Sequence, residues 1–136
     1  YRRAGSVSEA ARLYRAALEP LVTSLREANI PVIVIAGVPD MTGYVDRTSL
    51  AAKALGASDF GRNRAALERQ RDPALAVERG LAQDGVSVVD PFPALCDAAT
   101  CWGRRDGQPR YQDETHLSVD GALRLVEPLL AVLPAG

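Results

Sequence analysis

The stretch Pro31-Val32-Ile33-Val34-Ile35-Ala36 is a β-branched run with no polar alternation. A strand with one wet face would alternate apolar and polar residues, so this run predicts a strand buried on both faces of a parallel sheet. A second short run, Val86-Ser87-Val88-Val89, repeats the signal after the turn Asp84-Gly85 and is ended by Pro91 and Pro93. Helical patterns lie on either side of both. Ser6 with Glu9 fits a capping box, and Leu13, Ala17, Leu18, Leu21, Val22, Leu25 and Ala28 then recur at helical spacing up to a stop at Asn29. Pro20 predicts a kink or a split in that helix.

The segment 37–49 carries Gly, Pro and Asp without a period and reads as loop. A short helix is predicted over 50–55, and the stretch 62–70 is weakly amphipathic. Asp72-Pro73 reads as the start of a helix running to about Gln83, with Asp as N-cap and Pro at the first helical position. The segment 103–109 is polar and turn-rich. Ser118 then caps a last helix with Val119, Ala122, Leu123, Val126, Leu129 and Leu130 on one face, its regularity spoiled by Pro128. The order helix, strand, helix, strand, helix predicts an α/β layered domain with parallel strands. Two strands are few for a parallel sheet, so further strands are expected from outside this chain.

The chain has 136 residues, the size of one domain or one large piece of one. Its start without Met adds to the expectation of a piece. At 47% hydrophobic and 24% charged residues it has the apolar material for a core, which argues against disorder. A net charge of −1 argues against a general nucleic-acid or anionic-membrane binder, which carries a basic excess. No apolar run approaches the ~18 residues of a membrane span. Cys96 and Cys101 form either a disulfide closing a small loop or two buried thiols, and with a single His in the chain zinc is the weaker reading.

Open α/β sheets bind ligands beyond the carboxyl ends of their strands, which draws attention to Asp40 after the first strand and Asp90 after the second. Each is either a site residue or a turn-forming Asp beside a proline. His116 is the side chain best suited to move a proton near neutral pH, and Asp113 precedes it by one helical turn of spacing. The pair is either a surface contact or an acid–base dyad in which Asp113 fixes the imidazole tautomer. The arginines between Arg62 and Arg71 read as a solvated helix face, Trp102 as packing beside the cysteines or as a sugar platform, and Tyr111 as packing beneath the Asp113–His116 loop.

The segment Tyr111-Gln112-Asp113-Glu114-Thr115-His116-Leu117-Ser118, followed by Gly121-Ala122, resembles the Asp-x-x-His block of the SGNH hydrolase superfamily. The wider arrangement is similar to the SGNH domain fused to membrane acyltransferase-3 proteins. It runs through Val38-Pro39-Asp40, Asp59-Phe60-Gly61-Arg62, Asp90-Pro91 and the two cysteines, and covers nearly the whole chain.

The resemblance implies a flavodoxin-like three-layer α/β/α sandwich with a parallel sheet, of which residues 1–136 are the C-terminal portion and the N-terminal part is missing. It implies a serine esterase or O-acyltransferase acting on acyl esters, acetyl above all, of cell-envelope glycans outside the cytoplasm. Asp113 and His116 are then the catalytic pair, and no metal or redox cofactor is needed. The implied partners are an acyl ester or glycan substrate, an upstream SGNH segment and a membrane acyltransferase domain, with no nucleic acid. A Cys96–Cys101 disulfide follows from the same location. The family's Gly-Asp-Ser and Gly-x-Asn-Asp blocks do not occur in the sequence, and Ser6 reads as a helix cap. The nucleophile and the oxyanion donors are therefore expected upstream. The alternative is a non-catalytic SGNH-like module that binds glycan or supports a membrane partner.

Overall fold

The computed structural model describes residues 6–44, 58–82 and 85–133. The helix predicted over 50–55 and Asp84 of the predicted turn lie outside them. Ser6 Oγ accepts the Glu9 N–H at 3.2 Å and starts α1 (Val7–Glu27), which runs unbroken through Pro20. Its packing face offsets the bond that Pro20 cannot donate: Val22 is buried and Leu18 packs beside it against Leu81 and Val86. Asn29 ends the helix in the left-handed region at φ 55°, its N–H bonded to the Arg26 carbonyl.

β1 (Val32–Ile35) pairs in parallel with β3 (Val86–Val89), Val32 opposite Val86 and Ile35 opposite Val89. The parallel pairing agrees with the sequence, but the burial differs from the expectation of two covered faces. Val32 and Val34 pack on the α1 side, whereas Ile35 on the other face is 49% exposed.

α2 (Arg64–Arg79) replaces the two helical stretches predicted around Asp72-Pro73. The start lies at Asn63, whose side chain accepts the Ala66 N–H at 2.9 Å, and Pro73 sits inside the helix rather than at its first turn. Leu67, Leu75 and Val77 are buried along it, so packing on both sides of the proline holds one continuous helix.

A second sheet was not foreseen. β2 (Phe60–Asn63), β4 (Thr100–Arg105) and β5 (Gln108–Pro109) form an antiparallel sheet in the order β2-β4-β5. Asp106 and Gly107 join β4 to β5 with φ 52° and 75°, the backbone of a two-residue type I′ hairpin turn. Gly61 lies under Thr100 and Trp102, where a Cβ would collide with the Thr100 methyl and crowd the Trp102 ring. Among the described residues the fold is thus α/β with one parallel and one antiparallel sheet. Between β3 and β4 comes α3 (Phe92–Leu95). The main core, with Met41, Phe92, Leu95, Cys101 and Tyr111 at its centre, lies against this second sheet.

The C-terminal helix is not continuous. It divides into α4 (Val119–Leu123) and α5 (Val126–Leu130), separated by Arg124 and Leu125. Pro128 has no N–H for the Arg124 carbonyl, and its ring crowds that same carbonyl, so the break falls where the proline predicts it. The break turns Leu125 and Leu129 onto the core and leaves Val119, Leu123 and Leu130 more than half exposed, instead of one shared apolar face.

Gly121 in α4 rests against the Arg110 carbonyl, and a Cβ there would overlap that backbone oxygen. Replacing a helical glycine by alanine ordinarily stabilises by about 0.5–1 kcal/mol. Here Gly121→Ala is expected to destabilise, by about 1–3 kcal/mol, because backbone cannot yield as a side chain can. Urea unfolding of the variant measures it, and a stability equal to or above that of the wild type contradicts the contact.

Candidate functional site

The segment between Tyr111 and Ser118 is a self-closing loop. Tyr111 and Leu117 bridge in antiparallel fashion, and the Gln112 N–H bonds the His116 carbonyl at 2.8 Å. Tyr111 is wholly buried beneath it, as the sequence suggested. Burial raises the phenol's pKa, the Asp40 charge adds to the effect, and the hydroxyl oxygen has no hydrogen-bond partner among the described residues. At the other end Ser118 ties the loop to β5 and α4. Its Oγ donates to the Pro109 carbonyl at 2.6 Å and accepts the Gly121 N–H at 3.1 Å, and its N–H bonds the Arg110 carbonyl.

Inside this loop Asp113 Oδ2 lies 2.7 Å from His116 Nδ1. The other carboxylate oxygen, Oδ1, accepts the N–H groups of Thr115 and His116, each at 2.8 Å. The carboxylate therefore holds both the backbone and the ring of the residue three positions on. Its pKa falls from 3.8 to about 2, first through the Thr115 N–H, then through the His116 N–H and the imidazole. The His116 side chain is 75% exposed, and its Nε2 has no partner among the described residues. An imidazole anchored through Nδ1 and open at Nε2 can accept a proton from a group brought to that side.

The depressed pKa fixes a pH window. The stabilisation from ionised Asp113 is complete above the ordinary carboxylate value of 3.8 and is lost as pH falls through the folded value of about 2. A carbon-13 NMR titration of the Asp113 carboxyl should give a midpoint near 2; a midpoint near 4 rules out the Thr115 and His116 hydrogen bonds in solution.

The two strand-end aspartates are engaged in the framework. Asp40 Oδ1 accepts the Thr42 N–H at 2.6 Å and Arg62 Nη1 at 3.1 Å, and Arg62 also bonds the Asp40 carbonyl. The Thr42 hydroxyl is the main cause of a lowered Asp40 pKa. Asp90 takes a two-pronged ion pair from Arg71 and the Phe92 N–H at 2.9 Å. Burial alone would raise the Asp90 pKa; the Arg71 and Phe92 bonds, with the Arg71 and Arg79 charges, take it below the ordinary value. The Arg71 guanidinium also stacks 3.4 Å from the centre of the Phe92 ring. Arg64 bonds Glu68 and the Asp97 carbonyl. The sequence reading of these arginines as a solvated face is thus corrected for Arg62, Arg64 and Arg71.

Cys96 and Cys101 are disulfide-bonded, with a Cα separation of 3.9 Å. That is below the usual range of about 4.4–6.8 Å. The two cysteines face each other directly as an antiparallel bridge pair, and the turn between them is drawn closed by Asp97. Its Oδ1 accepts the Ala99 and Thr100 N–H groups and its Oδ2 accepts Trp102 Nε1–H. Trp102 therefore braces the cysteine loop.

One residue of the loop was missed. The Glu114 carbonyl accepts the Met41 N–H at 2.7 Å, and its carboxylate Oε1 accepts the Gly43 N–H at 2.7 Å. The partners lie more than 70 positions earlier, and no local spacing signals such a contact.

A family model, the SGNH domain (fused to AT3 domains), matches residues 2–131. No curated protein and no solved structure matches. No helix among the described residues is long and apolar enough to cross a membrane.

Proposed function

Since this chain belongs to the SGNH domains fused to AT3 domains, we propose that it supplies the acid–base half of a serine esterase or O-acyltransferase site. Family membership supports a hydrolase- or acyltransferase-type role, with a membrane AT3 domain as partner. The observation that carries the finer reading is the 2.7 Å bond between Asp113 and His116 Nδ1, with Nε2 open to solvent.

In the proposed reaction a serine hydroxyl, from a Gly-Asp-Ser block outside these 136 residues, attacks the acyl carbonyl. His116 Nε2 takes the hydroxyl proton as the new C–O bond forms, and returns it to the leaving oxygen as the old C–O bond breaks. Asp113 holds the proton on Nδ1 and stabilises the imidazolium. Water or a glycan hydroxyl then releases the acyl group by the same steps in reverse. The oxyanion donors come from the same segment as the serine. In this reading residues 1–136 are the C-terminal portion of one SGNH domain, and the β1–β3 pair is part of a flavodoxin-like parallel sheet.

The substrate class proposed is an acetylated glycan of the cell envelope. A disulfide belongs to an oxidising compartment, which fits the extracytoplasmic side of the membrane. The test is hydrolysis of p-nitrophenyl acetate and of acetylated oligosaccharides by the full-length protein. Turnover that depends on a serine outside this chain and on His116 supports the enzyme. A full-length protein inert toward several acyl donors, yet retaining glycan affinity, points instead to the non-catalytic binding module.

A further inference from the structure

The loop that leaves β1 is held from three sides. Met41 and Tyr44 are buried in the main core, so the loop is anchored at both ends of its tip. Arg62 on β2 grips the Asp40 carbonyl and carboxylate. The tip itself, Thr42 and Gly43, is exposed, and there the third tether acts: Glu114 Oε1 receives the Gly43 N–H. Gly43 has φ 89°, a conformation other residues rarely adopt, so the tip is shaped around a glycine amide. Of the three tethers, only Glu114 belongs to the segment that carries Asp113 and His116. The loop follows the carboxyl end of a parallel strand, where α/β sheets bind their ligands.

We propose that Glu114 is a positioning residue: through Gly43 it pins the tip at residues 42–43 beside His116 as one wall of the substrate cleft. The wall meets the part of a substrate beyond the reacting acetyl group, so it governs the binding of acylated glycans and not the chemistry on a minimal ester. This role rests on the ester-directed reading of the site, while the tether itself stands on the contacts alone.

Amide hydrogen exchange, followed by NMR, reads the tether without any activity. In Glu114→Ala the Gly43 amide should exchange about 10-fold faster, because its acceptor is that side chain. The Met41 amide changes less, since it bonds the Glu114 backbone carbonyl, which the substitution keeps. Glu114→Gln restores Gly43 protection, because an amide oxygen accepts the same N–H. In the full-length enzyme, Glu114→Ala should raise KM for O-acetylated xylotriose about 10-fold with kcat within about 2-fold. Glu114→Gln should match wild type on that substrate.

Unchanged Gly43 exchange in Glu114→Ala overturns the tether, whether or not the protein is active. Faster exchange with an unchanged KM for the oligosaccharide overturns the cleft-wall role. Faster Gly43 exchange in Glu114→Ala, with a wild-type protein inert toward both p-nitrophenyl acetate and the oligosaccharide, removes the enzyme reading, and the cleft-wall role with it, but leaves the tether standing.

Discussion

His116→Ala in the full-length protein is expected to lower kcat/KM on p-nitrophenyl acetate by about 1,000-fold or more, since general acid–base help and nucleophile activation are lost together. Asp113→Asn is the finer probe and should cost about 100- to 10,000-fold. Asparagine keeps a carbonyl oxygen for the N–H groups of Thr115 and His116, which now bond Asp113 Oδ1. The loop therefore stays closed. What changes is the atom facing Nδ1, where an amide NH2 replaces Oδ2. An NH2 donates, so Nδ1 must accept, and the ring proton moves to Nε2. A ring protonated at Nε2 cannot take a proton from a serine. Both variants should keep wild-type circular dichroism and unfolding midpoints near that of the parent. The 136-residue chain alone, without a Gly-Asp-Ser block, should stay at background. Retention of turnover within 10-fold by His116→Ala would remove His116 from the mechanism.

Loss of the disulfide should have the largest effect on stability. Cys96 and Cys101 are separated by 5 positions in sequence. Closing so short a loop restricts the unfolded chain by about 2 kcal/mol on the chain-entropy account. Cys101 is also wholly buried in the main core beside Phe92 and Leu95. Cys96→Ala with Cys101→Ala is therefore expected to lower the unfolding free energy by about 2–3 kcal/mol and Tm by about 5–10 °C. The loss should reach the site. Leu95, next to Cys96, offers its carbonyl to Arg110 Nη1, and the Arg110 N–H bonds the Gly103 carbonyl on β4. Arg110 in turn precedes Tyr111 and the Asp113–His116 loop. Thermal melts with and without reductant, followed by activity, test the chain of contacts. Identical melts under both conditions count against the disulfide as a structural element.

Local features were legible in the sequence, and distant pairings were not. The Ser6 and Ser118 caps, the Asn29 stop and the two β-branched strands each depend on residues a few positions apart, and each was found where the pattern put it. The second sheet escaped notice because Phe60-Gly61-Arg62-Asn63 has neither alternation nor β-branched residues. Its strand identity comes from β4, about 40 positions later. Asp106-Gly107 was the readable clue to the β4–β5 hairpin. Pro73 misled because a good helix-start pair can lie inside a helix when Leu67, Leu75 and Val77 bury on both sides of it. At the site, the Asp113–His116 spacing was visible and Glu114 was not, since its partners Met41 and Gly43 are set by tertiary placement.

The self-closing loop between Gln112 and His116 bears on how the molecule folds. Bringing Val32 opposite Val86 means closing most of the intervening chain before parallel pairing rewards it. The Gln112–His116 bond and the bonds of the Asp113 carboxylate span no more than four positions. Closures that short take about 10–100 ns even for loops of ten residues, whereas long-range β pairing sets the pace of much slower folding. The Asp113–His116 pairing thus has very low contact order, unlike the Glu114 contacts of the same loop, and its geometry can recur on each local closing event without waiting for the parallel strands to meet.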